Sequence, residues 1–292
     1  MIARTGLELL EVCEKNNISL SEYAIMCEME EQNLTREEVM DKMRQNLKVM
    51  LSAANEGMEK EVYSVSGLIG GDGHKLYNYA KSGKTLTGTA TTMAMAMAIS
   101  SSEVNASMGK IVACPTAGSC GILPAVILSA GRELNLDEEE MLKGLFAAAA
   151  VGTIIGLNAT LSGAEGGCQA ECGSASAMGA AAVVEMMGGT PKMSFDAAAI
   201  IIKNVLGLVC DPVAGLVEIP CAKRNAQGAV TALCTADMVM AGVASKIPFD
   251  DTVSAMYKVG KCLPPALRET ALGGVATTKE GLRLKEQVFG KQ

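Results

Sequence analysis

An uncharged run from Gly144 to Ala164 constrains this chain more than any other feature, because a segment of that length without Asp, Glu, Lys or Arg calls for an apolar environment. At about 1.5 Å of rise per residue, roughly 20 helical residues could cross a bilayer. The content of the run points elsewhere. Six alanines and four glycines, together with Asn158, Thr160 and Ser162, stand where a membrane helix would carry dense Leu, Ile and Phe with Trp or Tyr at its ends. A buried core helix is the expectation, and no membrane partner.

The rest of the chain extends that expectation. Hydrophobic residues make up 49% of it, enough for a substantial core, yet aromatics are only 3% and Trp is absent. Strands favour Val, Ile, Tyr, Phe and Thr, whereas a mixture rich in Ala, Gly, Met and Leu favours close-packed helices. The expected fold class is therefore all-α, a multi-helix globular domain. A net charge of −7 argues against a nucleic-acid surface, which needs clustered Lys and Arg. The first residues, Met1-Ile-Ala-Arg-Thr-Gly-Leu-Glu, show no apolar leader, so a cytoplasmic location is expected. In that reducing setting ten cysteines cannot be a disulfide framework.

Residues 1–60 read as a charged helical segment and residues 61–292 as the helical catalytic domain, or the two as one continuous domain. Thr35-Arg-Glu-Glu38 is a capping box ahead of Val39, Met43, Leu47 and Met50, which predicts a helix over 36–56. Ser64 to Gly73 is a Gly-rich loop that lacks the spacing of a phosphate loop, and His74 beside it is expected on an exposed loop. Further helices are predicted over about 86–107, 123–132, 137–158, 173–188, 195–208, 226–245 and 251–260. Asp137 to Glu140 forms another capping box, and Gly188-Gly-Thr-Pro191 reads as a stop. Only Val209 to Ile219 alternates in the manner of a strand.

Three cysteines sit on turns bounded by Gly and Pro: Gly166-Gly-Cys168-Gln-Ala-Glu, Cys210-Asp-Pro-Val-Ala-Gly, and Pro220-Cys221-Ala-Lys-Arg-Asn225. A thiol in mid-helix is usually a small hydrophobe, whereas a thiolate on an irregular loop can turn toward iron or zinc. Spacing alone admits both ligation and simple burial, and matches neither a zinc ribbon nor a ferredoxin run. Cys172, four residues after Cys168, is a rival ligand that reads as packing. Cys13, Cys27, Cys234 and Cys262 read as inert, and Cys114 and Cys120 flank the turn Pro115 to Ser119.

These runs, with Cys114-Pro-Thr-Ala-Gly-Ser-Cys-Gly-Ile-Leu-Pro-Ala125, resemble the iron–sulfur-dependent L-serine dehydratases, specifically their α chain. The similarity extends from Glu28-Met-Glu and Val65-Ser-Gly-Leu-Ile-Gly-Gly-Asp72 to the last turn. It implies an L-serine ammonia-lyase giving pyruvate and ammonia, with cluster-binding loops that hold a [4Fe–4S] cluster on Cys168, Cys210 and Cys221. Three thiolates leave one iron open, a Lewis acid for the substrate hydroxyl. The family pairs this chain with a β chain, or a second domain, bearing a Ser-x-His-Thr element that this sequence lacks, so the base is expected on the partner. Some single-chain relatives end in a cysteine that can cap the open iron, whereas this chain ends Phe289-Gly-Lys-Gln292.

For the substrate, the turn Thr116-Ala-Gly-Ser119 is a plausible nest for a carboxylate, or else a plain helix cap. Ser66 on the Gly-rich loop could close the other side, and Lys223 and Arg224 could neutralise the carboxylate or the cluster. Two other readings compete: a non-catalytic iron–sulfur subunit, and a related lyase acting on L-threonine or L-cysteine. Pyridoxal phosphate is not expected, because it would need a Schiff-base Lys and a phosphate loop in an α/β fold.

Overall fold

Side-chain caps lay out the N-terminal part of the computed structural model, which describes residues 3–290. Thr5 accepts from Glu8 N to start α1 (Gly6–Asn16), and Ser19 accepts from Glu22 N to start α2 (Leu20–Gln32). Asn17 and Asn33 end these helices in the left-handed conformation that Asn tolerates. The expected box of Thr35 and Glu38 opens α3 (Arg36–Glu59). α4 (Asp72–Lys81) begins inside the Gly-rich segment, so His74 lies on a helix and not on an exposed loop. Its Nδ1 is 2.7 Å from Met58 O and its Nε2 is 2.9 Å from Asn78 Nδ2. The buried Glu103 carboxylate accepts from Asp72 N and Gly73 N, which supplies the cap that no side chain of the loop provides.

The later helices follow the small-residue runs: α5 (Thr89–Ala106), α6 (Ile122–Leu134), α7 (Glu138–Asn158), α8 (Gly163–Gly166), α9 (Ser174–Met186), α10 (Pro191–Val205), α11 (Cys221–Met240), α12 (Phe249–Cys262) and α13 (Lys279–Phe289). Pro191 starts α10 rather than stopping a helix, with Thr190 as its cap, since Pro at the first position loses no hydrogen bond. No strand forms among the described residues. The Val209–Ile219 segment makes only an isolated bridge between Cys210 and Arg268, then a tight turn over Val213–Gly215. The all-α expectation stands.

α9 is the central helix, buried from Ser174 to Val184, and α6, α7, α10 and α11 pack around it. Small residues make this possible: Gly152 of α7 seats Met178, and Gly228 of α11 faces Ser176 and Ile122. α7, which carries the uncharged run, is a core helix; Leu145, Phe146, Val151, Ile154 and Ile155 are all buried. Leu9, Leu20, Ile25 and Leu47 from the N-terminal helices belong to the same core as Ile127, Val151 and Ile201.

Candidate functional site

Where the packed helices α9 and α11 begin, four segments meet. The first is a π-turn over Gln169–Gly173, a wide turn often found at functional sites, which carries Glu171 and Cys172 directly after Cys168. Gln169 is fully buried and locks this turn in place. Its Nε2 donates to Gly166 O and Met256 O, and its Oε1 accepts from Gly207 N. The second segment carries Cys210, whose N donates to Leu267 O and whose O accepts from Glu269 N. The third is the first turn of α11, beginning at Cys221. The fourth is the turn Ala117–Ser119, pinned to α11 by Asn225, which donates to Gly118 O at 2.8 Å and accepts from Gly121 N at 2.9 Å.

Cys168, Cys210 and Cys221 are 2%, 3% and 7% exposed; Cys210 feels the charge of Cys168 and Cys221, and Cys221 that of Cys168. Burial and the neighbouring Cys168 push Cys221 up to about 12; burial, Cys168 and Glu171 push Cys210 higher still. Cys168 goes the other way. A hydrogen bond from Cys172 and the Arg224 guanidinium hold it below the usual thiol range. Cys172, read from sequence as packing, is thus a buried thiol whose sulfur supports the neighbouring one. Three buried thiols near one another cannot all ionise without positive charge beside them, which a bound metal would supply. A soft, three-sulfur donor set fits iron–sulfur or another thiophilic metal centre. The Glu171 and Cys210 side chains pack directly on Gly163: a Cβ there would collide with the Glu171 carboxylate and stand 3.1 Å from Cys210 Sγ.

The basic pair after Cys221 divides its tasks. Arg224 turns inward, donating to Val209 O at 2.8 Å and to Asp211 Oδ1 at 2.9 Å, while Asp211 Oδ2 accepts from Val275 N. Lys223 is largely exposed and pairs with Asp72 of α4 at 2.6 Å. The Thr116 and Ser119 hydroxyls are 3.1 Å apart, and Thr116 also donates to Glu171 Oε1 at 2.9 Å. The turn therefore caps itself and at the same time abuts the cysteine loops. Ser66 donates to the buried Glu218 at 2.7 Å; the adjacent Val217 lies against Gly118, which brings the Gly-rich loop to the same region. Cys114 and Cys120 are buried beside the turn, directed at the carbonyls of Val112 and Ser101.

Sequence reasoning missed Glu171, Gln169, Asp211 and Glu269. Glu171 and Gln169 stood within a quoted motif, and their polarity among Gly and Ala was the available signal. Burial pushes the Glu171 carboxyl above the usual carboxylate range, with the Glu269 charge adding to it.

Comparison with known proteins agrees with this geometry. The family model described as serine dehydratase alpha chain matches residues 15–276. A probable L-serine dehydratase alpha chain of Bacillus subtilis is 50% identical over 287 residues, covering 98% of this chain and 95% of the relative. The L-serine dehydratase alpha chain of Peptoniphilus asaccharolyticus is 47% identical, covering 96% of each. An L-serine dehydratase of Streptomyces coelicolor is 36% identical over 94% of this chain, which spans 60% of that longer protein. With the matched region taking in all three cysteine loops and the turn at Thr116, the chain belongs to the serine dehydratase alpha chain family.

Proposed function

We propose that this chain is the α subunit of a [4Fe–4S]-dependent L-serine ammonia-lyase that converts L-serine to pyruvate and ammonia. The observation that carries the proposal is the placing of three buried thiols at the starts of α9 and α11 and on the Cys210 segment, close enough for Cys210 to feel the other two, in a chain whose relatives are named L-serine dehydratases. Cys168, Cys210 and Cys221 would hold the cluster, with Arg224 beside Cys168 offsetting negative charge. When bound, the cluster supplies an open iron as a Lewis acid for the substrate hydroxyl.

The chain's own polar groups do the rest. The Thr116–Ser119 turn receives the substrate carboxylate through its hydroxyls, and Ser66 closes the other side from the Gly-rich loop. Lys223 adds positive charge at the rim, moderated by Asp72. The α proton needs a base, and the sole histidine is committed at both ring nitrogens within α4. We assign that base to a β chain, the partner that the α-chain names of the relatives imply. Loss of water gives aminoacrylate, which tautomerises and takes up water to release pyruvate and ammonia.

The test is anaerobic purification followed by iron, sulfide and pyruvate assays, with and without the β chain. The expected result is about four iron and four sulfide per chain, and serine turnover that requires both chains. Full turnover by a metal-free protein, or a lysine trapped by borohydride in the presence of substrate, would overturn the proposal.

A further inference from the structure

Glu171, Glu269 and Cys210 place one carboxylate oxygen each and the sulfur within 4.8 Å of one another. Glu171 is accounted for locally, since Oε1 accepts from Thr116 and Oε2 lies 3.9 Å from Cys210 Sγ. Glu269 is not. Its half-buried carboxylate has no hydrogen-bond or ion-pair partner among the described residues, and the neighbouring Arg268 leaves its own buried Nε unpartnered.

The backbone nevertheless holds Glu269 firmly in that place. Its N–H donates to Cys210 O at 2.7 Å, Cys210 N donates to Leu267 O at 2.9 Å, and its φ of 63° is a left-handed conformation that an L residue with a long side chain adopts at a cost. Two carboxylates facing each other beside a sulfur repel unless a proton or a cation stands between them. Farther along, Val275 N donates to Asp211, which pairs with Arg224 against Cys168, so the segment after α12 is tied to the cysteines at two points.

We infer that the Glu269 carboxylate is an oxygen ligand of the cluster in the substrate-free protein, occupying the iron that Cys168, Cys210 and Cys221 leave open. The inference rests on the iron–sulfur function proposed above. Glu269 is chosen over Glu171 because it breaks no existing contact by binding, whereas Glu171 would give up Thr116. A carboxylate is also a harder and more exchangeable donor for iron than a thiolate, which suits a position that must be vacated for a substrate hydroxyl.

The experiment reconstitutes wild-type protein, Glu269→Gln, Glu269→Gly and Glu171→Gln anaerobically with iron and sulfide. Glycine accepts the positive φ, so that variant keeps the fold even where Gln does not. Iron and sulfide content comes first: a wild-type chain that assembles no four-iron cluster would sink the proposed function itself. Given a four-iron cluster, the rate of its conversion to the three-iron form by a mild oxidant and chelator is followed by EPR without serine. Both Glu269 variants are expected to lose the fourth iron about ten- to a hundred-fold faster than wild type, with Glu171→Gln close to wild type. Mössbauer spectra of the wild type should show one oxygen-ligated iron that is changed in Glu269→Gly. Wild-type rates in both Glu269 variants, or faster loss confined to Glu171→Gln, would overturn the assignment. So would four sulfur-type irons in the wild-type spectrum.

Discussion

The Thr116 hydroxyl donates to Glu171 Oε1 at 2.9 Å, joining the turn before α6 to the π-turn before α9 across 55 positions of sequence. The other oxygen of Glu171 faces Cys210 Sγ. One carboxylate thus connects the turn proposed to hold the substrate with a loop proposed to hold the cluster.

The proposed ligation by Cys168, Cys210 and Cys221 is tested by replacing each thiol. Cys168→Ala, Cys210→Ala and Cys221→Ala should each abolish the visible iron–sulfur absorbance and serine turnover together. Cys234→Ala, at an exposed position of α11, and Cys13→Ala, buried in α1, should leave absorbance and iron content near wild type. A stable cluster in the Cys210→Ala protein would contradict the ligand set.

The carboxylate turn can be tested without disturbing the metal. A hydrogen bond to a charged group contributes about 1.5–3 kcal/mol, so Thr116→Val or Ser119→Ala should lower kcat/KM for serine about ten- to a hundred-fold, with iron content unchanged. Thr116→Ser keeps the hydroxyl and should recover most of the loss. Unchanged kinetics in both variants would return the turn to a capping role alone.

The placing of Glu171 and Cys210 at the proposed cluster site depends on Gly163. A Cβ at this position would collide with the Glu171 carboxylate and crowd Cys210 Sγ at 3.1 Å. Gly163→Ala should therefore weaken iron retention by about ten-fold or more while far-UV circular dichroism stays unchanged. Gly156→Ala, where the nearest atom is the flexible end of Leu161, serves as the control. Equal iron retention in the two variants would show that Gly163 is not there to make room.

A pH dependence of stability is expected from Glu185, whose charge adds to burial in raising the Cys13 thiol. Glu185 of α9 closes the start of α2, accepting from Leu20 N at 2.9 Å and Ser21 N at 3.2 Å, yet burial pushes its carboxyl above the ordinary 4.5. With a raised value in the folded state, the folded chain keeps a proton that the unfolded chain has released. The resulting stabilisation is complete below about pH 4.5 and is lost as the pH rises through the folded value. Denaturant midpoints of the metal-free protein should fall less between pH 4.5 and 7 in Glu185→Gln than in wild type. Parallel pH profiles would remove Glu185 as the source.

Local chemistry determined the helices and the candidate ligands. The Thr35 and Asp137 capping boxes, the Ala- and Gly-rich runs and the absence of Trp were enough to place α3, α5, α7 and α9 and the all-α class, because caps and packing surfaces act over a few residues. The turns around Cys168, Cys210 and Cys221 were legible for the same reason. What local sequence could not supply was whatever depends on a distant neighbour. The alternation of Val209–Ile219 meets no partner strand and remains a loop. Lys223 and Arg224 are adjacent, but successive helical residues point about 100° apart, so α11 sends one to Asp72 on the surface and the other to Cys168 inside. The meeting of Glu171 with Glu269 and of Thr116 with Glu171 required α9, α11 and the segment after α12 to pack first. Such contacts come only after the entropy of closing long loops has been overcome by burial of the core, which no single motif encodes.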